Sequence, residues 1–239
     1  MTMAGILFRT AGRLLKWPLT VLIRPYPRLN ARVWDLQYAL GLWSYLDQPG
    51  SGSPLDLIQK YAPQARILDL GCGTTVNLPL VPGSYRHYHG VDISRTAIRR
   101  ARSLRRADAS FEVADVLSYQ PAGQYDVILL REILYYFPLD DAMALLHRLA
   151  PALTPHGAII VGVYDTGTPE GAALLDRVRD CGLAVAEELA EPSEGGLLPV
   201  TIVLRTATGA GVARLRASTT TADERRATER GGHSAADQR

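Results

Sequence analysis

The sequence predicts one α/β domain organised around a mostly parallel sheet, and three observations lead to this fold class. Residues 65–75 begin as a short apolar strand and run directly into a glycine-rich turn. A second strand-like segment ends in an acidic residue about 20 positions after that turn. Strand and helix patterns then alternate as far as residue 163. The chain of 239 residues is long enough for one domain of this type with short extensions.

The strand at residues 66–70 and its turn predict a site for a nucleoside-bearing ligand. Gly71 and Gly73 permit a tight turn and a close approach of the backbone to a ligand. Asp69 places a carboxylate near the strand end, available to a polar partner. The rival interpretation is a dinucleotide-binding Gly-x-Gly-x-x-Gly motif, but Val76 stands where that motif has its third glycine.

The second strand, residues 88–94, contains an acid where a ribose would lie. Asp92 follows Gly73 by 19 residues, close to the offset of about 20 at which such an acid meets ribose hydroxyls. A carboxylate at this position can accept two hydrogen bonds from a cis-diol. Ser94 then predicts the N-cap of a helix with an arginine cluster, which we interpret as a solvated outer face rather than a nucleic-acid site.

The run from Leu68 to Thr75 resembles the first motif of class I S-adenosylmethionine-dependent methyltransferases. That motif, Asp-x-Gly-x-Gly-x-Gly, is matched at Asp69, Gly71 and Gly73 and departed from at Thr75. The resemblance implies a three-layer, Rossmann-like fold, and the residue pattern before it adds an N-terminal helical extension. It implies a seven-stranded sheet in the order 3-2-1-4-5-7-6 with the last strand antiparallel, and S-adenosylmethionine as the cofactor.

By the same resemblance, the adenine of the cofactor binds at the end of the third strand, residues 110–114. The carboxylate of Asp115, after the third strand, would accept a hydrogen bond from the exocyclic amine of adenine. The amide of Val116 would pair with a ring nitrogen. The predicted cofactor-binding residues are Asp69, Gly71, Cys72, Gly73, Asp92, Ile93, Asp115, Val116 and Arg131.

The carboxyl end of the fourth strand, residues 125–130, is the expected place for the chemistry, because ligands of open α/β sheets bind outside these strand ends. Residues 132–137 resemble the segment that follows strand four in small-molecule methyltransferases, including nodulation-type N-methyltransferases. The candidate catalytic residues are Glu132, Tyr135 and Asp165. The candidate acceptor-lining residues are Trp43, Tyr45, Tyr136 and Tyr164.

Aromatic residues crowd the segment 34–46, which resembles the cap that precedes the cofactor domain in a group of bacterial small-molecule methyltransferases. The alternative is that these aromatic rings only pack against one another, since they bury large areas wherever they lie. Apolar spacing predicts that this segment belongs to a helix beginning at Asn30, after an extended linker at residues 24–27. Residues 153–157 predict a turn before a fifth strand at 158–163.

Methyl transfer from a sulfonium is an in-line displacement, for which positioning supplies much of the rate acceleration. A base is needed only if the acceptor holds its proton tightly. The histidines at 87, 89, 147 and 156 fall away from the expected reaction edge, and Asp126 falls at the opposite end of its strand, so we interpret all of them as structural. We therefore expect transfer mainly by proximity and orientation.

Composition and charge narrow the classes of function. A net charge of +2 is too small to indicate a nucleic-acid partner by itself. No Asn or Asp followed by Pro-Pro-aromatic comes after strand four, which disfavours an adenine-N6 methylase. Cys72 and Cys181 lie far apart, so neither a disulfide framework nor a metal site is predicted. No run of 18 apolar residues occurs, and we expect a cytoplasmic protein.

The first 28 residues carry a basic amphipathic pattern, with Arg9, Arg13 and Lys16 on one helical face and apolar residues on the other. Two interpretations stay open, docking on this domain or a partner subunit, including a homodimer, and contact with an anionic membrane surface. We divide the chain into this extension (1–28), a helical cap (29–62), the cofactor-binding domain (63–206) and a disordered tail (207–239).

The expected function is methyl transfer to an oxygen or nitrogen atom of a small molecule, with S-adenosylmethionine as the donor. The alternative is a catalytically inactive, cofactor-binding partner of a larger assembly. A third hypothesis, an NAD-dependent oxidoreductase, is weakened by Val76.

Overall fold

A computed structural model describes residues 26–43, 54–75, 83–163, 167–190 and 199–206. Within these segments the chain forms a seven-stranded sheet with helices on both faces. The strands are β1 (Ala65–Leu70), β2 (Tyr85–Asp92), β3 (Ala109–Val113), β4 (Tyr125–Arg131), β5 (Leu153–Val163), β6 (Ala184–Ala190) and β7 (Val200–Arg205). The helices are α1 (Pro27–Ala39), α2 (Leu55–Tyr61), α3 (Arg95–Ser103), α4 (Leu139–Leu149) and α5 (Pro169–Arg179).

The sheet has the order β3-β2-β1-β4-β5-β7-β6. Strand β1 lies between β2 and β4 and is parallel to both. Strand β7 is antiparallel to β5 on one side and to β6 on the other, so it is the one strand of this sheet that runs against the rest. The predicted fold class is therefore confirmed, including the antiparallel last strand.

The central strands β1, β4, β5 and β7 are buried on both faces, as expected where helices cover both sides of a sheet. Alternate residues of β4 show this, since Ile128 and Leu130 belong to one apolar core while Val127 and Leu129 belong to the other. The first core contains the inner faces of α4 and α5, and the second contains those of α2 and α3. The result is a three-layer sandwich in which the parallel strands β1, β2 and β4 finish at the same edge of the sheet.

Strand β5 begins earlier than the sequence predicts, at Leu153 instead of Ala158. The prediction of a turn over 153–157 is wrong because Pro155 and Gly157 are accommodated in a bulge: Leu153 pairs with Tyr125, and regular pairing resumes only at Ala158.

Helix α1 also begins earlier than predicted, at Pro27 instead of Asn30. Proline is favourable at the first helical position, where its missing N–H costs nothing, so Pro27 starts the helix instead of ending a linker. The helix ends at Ala39 and Gly41 follows with a φ of +68°, which places Trp43 beyond the helix.

The apolar stripe of α1 does not face the domain. Leu29, Leu36 and Leu40 are 45%, 58% and 65% exposed, whereas the buried residues of this helix are Gln37 and Tyr38. The periodicity predicted a helix correctly, but the helix packs through its polar and aromatic side. The sequence segments at 1–25 and 207–239, for which we predicted an amphipathic helix and a disordered tail, lie outside the described residues.

No helix in the described part of the chain is long and apolar enough to cross a membrane.

Candidate active site

The glycine-rich turn after β1 is shaped by two glycines in the left-handed region. Gly71 has a φ of +76° and Gly73 a φ of +56°. The amides of Gly71 and Cys72 donate to the carbonyl of Val91, at 2.8 and 3.0 Å, which fastens the turn to β2. A Cβ at Gly73 would lie 2.6 Å from the Tyr38 hydroxyl, so this position has no room for a side chain.

Asp92 lies at the end of β2 and connects this turn to helix α3. Its Oδ2 accepts a hydrogen bond from the Gly73 amide at 2.9 Å, and its Oδ1 accepts one from the Ser94 amide at 2.8 Å. The carboxylate has further lone pairs for a ligand, because each oxygen can accept more than one hydrogen bond. Ile93 follows it and is half-buried.

The prediction that Asp69 offers its carboxylate to a ligand is wrong. The residue is fully buried in the sheet, and its Oδ2 accepts a hydrogen bond from the Tyr88 hydroxyl at 2.5 Å. The Cys72 side chain is also directed inward, since a Cβ at Gly90 would lie 2.8 Å from its Sγ. Burial raises the pKa of the Cys72 thiol, with the nearby Asp92 and Asp69 adding to the shift, so this thiol is protonated and unreactive.

Asp115 and Val116 follow β3 at the same edge of the sheet. The Oδ1 of Asp115 accepts a hydrogen bond from the Leu117 amide at 3.2 Å, which fixes the carboxylate near the chain. Val116 is 5% exposed, and no group in the described segments accepts a hydrogen bond from its amide. An acceptor and a donor therefore lie on consecutive residues, which matches the pattern of an adenine edge.

Two residues of β4 and its following loop extend the site. Arg131 lies across β5, where a Cβ at Gly162 would be 3.4 Å from both its Cγ and its Nε. Glu132 has a φ of +58°, which is uncommon for a residue with a side chain and costs energy of order 1–3 kcal/mol. The amide of Glu132 donates to the Gly162 carbonyl at 2.9 Å, and the Tyr135 hydroxyl donates to its Oε2 at 3.0 Å.

Aromatic rings connect this loop to the cap helix. The ring centroid of Tyr135 is 4.7 Å from that of Tyr136, and Tyr136 meets Trp34 edge-to-face at 5.2 Å. Trp34 in turn lies 5.5 Å from Trp43, whose indole N–H donates to Gln37 Oε1 at 3.0 Å. We call Trp34, Trp43 and Tyr136 the aromatic wall. Two other predicted acceptor-lining residues, Tyr45 and Tyr164, and the candidate catalytic residue Asp165 lie outside the described residues.

Sequence reasoning did not single out Asp35 and Tyr38 as site residues. Both lie on the side of α1 opposite its apolar stripe, Tyr38 above Gly73 and Asp35 beside Ser94. A helical wheel of α1 contains this signal, because the three-residue spacing places Asp35 and Tyr38 on one face away from Leu36.

Asp126 and three of the histidines that we interpreted as structural form hydrogen bonds within the fold. Asp126 accepts hydrogen bonds from the Arg66 amide at 2.8 Å and the Thr154 hydroxyl at 3.0 Å, at the end of the sheet opposite the glycine turn. His87 and His89 both contact the Ser110 hydroxyl, and His147 contacts the carbonyl of Cys181. No group of three or more potential metal ligands occurs among the described residues.

A protein-family model matches the part of the chain that contains the glycine turn. Residues 67–157, from β1 into β5, match the family model described as a methyltransferase domain. The matched segment contains most of β1 and the glycine turn, and the match supports a class I S-adenosylmethionine-dependent methyltransferase. The prediction from the first motif and the strand order is thereby confirmed, and S-adenosylmethionine is the cofactor of this class.

The relatives agree with this family while leaving much of their own length unmatched. The methyltransferase domain is 33% identical over 119 residues to trans-aconitate 2-methyltransferase of Methylobacterium nodulans, covering 49% of this chain and 45% of that relative. The chain spans about half the length of the curated relatives it matches first.

Solved structures show the same fold. The N-methyltransferase NodS from Bradyrhizobium japonicum WM9, in complex with S-adenosyl-L-homocysteine, matches with a TM-score of 0.57 at 16% identity, covering 70% of this chain and 97% of NodS. A TehB-like methyltransferase from Corynebacterium glutamicum matches with a TM-score of 0.55 at 22% identity, covering 72% and 97%.

The residues of the methyltransferase domain fit the cofactor of the class. The Asp92 carboxylate, which is fixed by the Gly73 and Ser94 amides, has acceptor capacity for a ribose diol. Asp115 and Val116 offer one acceptor and one donor for an adenine edge.

Cofactor affinity should depend on the protonation of Asp92. Burial raises the pKa of Asp92 to about 6, with the nearby Asp35 adding to the shift, while hydrogen bonds from the Ser94 and Gly73 amides oppose it. The charged carboxylate is the better acceptor for ribose hydroxyls. We therefore expect the affinity for S-adenosylhomocysteine to be constant above about pH 7 and to fall as the pH drops through 6.

Calorimetric titration with S-adenosylhomocysteine between pH 5 and 8 measures this dependence. Asp92→Asn is the control, since it cannot titrate and should bind with a weak, pH-independent affinity. A wild-type affinity that is flat across this range would contradict the assignment.

Proposed function

We propose that this protein transfers a methyl group from S-adenosylmethionine to an oxygen or nitrogen atom of a small molecule, mainly by holding the two reactants in proximity. The observation that carries this proposal is the hydrogen-bonded pair Glu132 and Tyr135 beside the aromatic wall, at the edge where β4 ends. That edge is shared with the glycine turn, because β4 and β1 are adjacent and parallel.

The left-handed backbone of Glu132 supports a functional role for this loop. Backbone strain of this kind persists where the surrounding structure holds it in place, and it is concentrated at active sites. Here the Glu132 amide is bonded to β5 and its carboxylate to Tyr135, so both ends of the residue are held. A side chain fixed in this way can orient an acceptor with little loss of entropy on binding.

The chemical type of each residue indicates its role in the proposed reaction. The cofactor supplies an electrophilic methyl group on a sulfonium. The glycine turn, Asp92, Asp115 and Val116 hold the nucleoside end, while the aromatic wall excludes water from the acceptor. Glu132 and Tyr135 orient the acceptor atom, and Glu132 can take its proton if the acceptor carries one.

Two observations support a small molecule as the methyl acceptor. The aromatic wall is compact and lies above a single loop, and one relative is named as a methyltransferase of trans-aconitate. We place the reaction in the cytoplasm, because both cysteines are free thiols buried in the fold.

The alternative, an inactive cofactor-binding partner of a larger assembly, is favoured by one observation. The apolar stripe of α1 is exposed at Leu29, Leu36 and Leu40, which would suit a docking surface. Binding of S-adenosylhomocysteine without methyl transfer to any acceptor of a broad panel of amines, phenols and carboxylates would favour this alternative.

The variant Glu132→Gln tests the proximity mechanism once an acceptor is found. Glutamine keeps an oxygen that can accept from Tyr135 but cannot act as a base. General-base catalysis contributes about 100-fold or more, whereas a glutamine that keeps the hydrogen bond from Tyr135 and the orientation of the acceptor should lower kcat much less. We expect the smaller loss, with affinity for S-adenosylhomocysteine unchanged.

The rate at which each variant forms S-adenosylhomocysteine, at saturating acceptor and cofactor, gives the change in kcat. Tyr135→Phe is the complementary control, since it removes the hydrogen bond to Glu132 and leaves the Glu132 carboxylate in place. If Glu132→Gln and Asp165→Asn each abolished turnover with cofactor affinity intact, the proximity mechanism would be wrong.

A further inference from the structure

Helix α1 contacts the cofactor site at two points on one face. Tyr38 places its hydroxyl above Gly73, as described above. One turn earlier, Asp35 reaches the start of α3: its Oδ1 accepts hydrogen bonds from the Ser94 hydroxyl and the Thr96 amide, both at 2.8 Å. These contacts bridge about 60 residues of sequence and join the cap to the domain.

Asp35 adds a second capping interaction to the N-terminus of helix α3. Ser94 already caps α3, since its Oγ accepts from the Ala97 amide at 3.1 Å. Helix α3 has no acidic residue in its own first turn, so Asp35 supplies from another helix the negative charge that favours a helix N-terminus. Ser94 is fully buried, which makes this bond stronger than it would be in water.

The same serine links Asp35 to the predicted ribose site. The Ser94 amide donates to Asp92 Oδ1, and the Gly73 amide donates to Asp92 Oδ2. A continuous path therefore runs from Asp35 through Ser94 and Asp92 to Gly73, and α1 closes it because Tyr38 lies over that glycine.

We propose that Asp35 is a positioning residue, which fastens α1 over the site and couples the placement of the cap to the orientation of the Asp92 carboxylate. Release of Asp35 would loosen Ser94 and move the aromatic wall, since Trp34 is the neighbouring residue on α1. The inference rests on the proposed function for its catalytic consequence. Its structural consequence, the anchoring of α1, holds without any ligand.

The first test of Asp35 needs no cofactor. In Asp35→Ala we expect amide hydrogen exchange along α1 to accelerate at least about tenfold, because two hydrogen bonds to a charged group are lost. Amides of β1 and β4 should exchange as in the wild type. Unchanged exchange in α1 would overturn the proposal whether or not the protein is a methyltransferase.

The second test uses Asp35→Asn, which keeps an acceptor oxygen and removes the charge. The groups facing Asp92 are the Asp35 carboxylate from α1, the Cys72 thiol from the turn, and the Gly73 and Ser94 amides. The Asp35 charge helps to raise the pKa of Asp92, so the midpoint of the fall in S-adenosylhomocysteine affinity should move to lower pH. A role limited to folding would leave that midpoint unchanged.

Asp56→Asn is the matched control, because Asp56 is an exposed residue in the first turn of α2 and its loss removes one charge. We expect Asp56→Asn to keep the wild-type midpoint and affinity. If Asp35→Asn and Asp56→Asn titrate alike, the coupling to Asp92 is wrong. If the wild type binds no cofactor, the proposed function fails while the exchange test still decides the anchoring.

Discussion

Replacement of Asp92 by alanine is expected to weaken the binding of S-adenosylhomocysteine by about 100-fold or more. The variant loses the carboxylate that would accept two hydrogen bonds from the ribose, each contributing about 1.5–3 kcal/mol when the acceptor is charged. It also leaves the Gly73 and Ser94 amides without their partner, so the turn loses its fixed shape. Calorimetric titration measures the loss.

Asp126→Ala controls for the structural part of this effect. Asp126 also accepts two hydrogen bonds, from the Arg66 amide and the Thr154 hydroxyl, but it lies at the opposite end of the sheet. We expect Asp126→Ala to lower the free energy of unfolding and to keep the affinity for S-adenosylhomocysteine. Equal affinity losses in the two variants would mean that Asp92 acts through folding and not through the ligand.

Replacement of Gly73 by alanine should nearly abolish cofactor binding. The new Cβ would meet the Tyr38 hydroxyl at 2.6 Å, which forces the cap to move, and a left-handed φ costs about 1–2 kcal/mol for any residue with a side chain. Titration with S-adenosylhomocysteine measures the loss.

Two further variants separate these causes. Gly83 has a φ of +80° and open space around it, so Gly83→Ala carries similar backbone strain without a clash and should bind the cofactor normally. In Gly73→Ala combined with Tyr38→Phe the nearest ring atom would be 3.5 Å away, an ordinary contact. Partial recovery of binding in this double variant would show that the clash contributes, and a normal affinity of Gly73→Ala alone would contradict the assignment of the turn.

Most of the fold could be predicted because its signals are local. Apolar runs bounded by glycine and acidic residues marked β1, β2 and β4, and Ser94 marked the start of α3 as the structure has it. The strand order came from the resemblance carried by the glycine turn, and the sheet agrees with it. Two boundaries were wrong at prolines, at Pro27, which starts a helix, and at Pro155, which lies within a strand. Strand β2 also begins three residues earlier than predicted, at Tyr85, and ends at Asp92.

The candidate site was less predictable, because burial depends on contacts between distant segments. Asp69 and Asp92 are both acids near strand ends, yet Asp69 is bonded to Tyr88 inside the sheet while Asp92 holds the turn. A helical wheel places Asp35 on the face of α1 away from Leu36, but its partners are about 60 residues away, so the sequence does not show what it contacts. The apolar stripe of α1 pointed to the wrong packing face for the same reason.

The most direct test of the central claim is calorimetric titration of the wild-type protein with S-adenosylmethionine, S-adenosylhomocysteine and NAD in parallel. The account predicts binding of both sulfur nucleosides with dissociation constants on the order of micromolar and no heat with NAD. Binding of NAD alone would assign the glycine turn to a dinucleotide. Absence of binding to all three would contradict the proposed function and leave the turn of Gly71 and Gly73 as a structural feature of the fold.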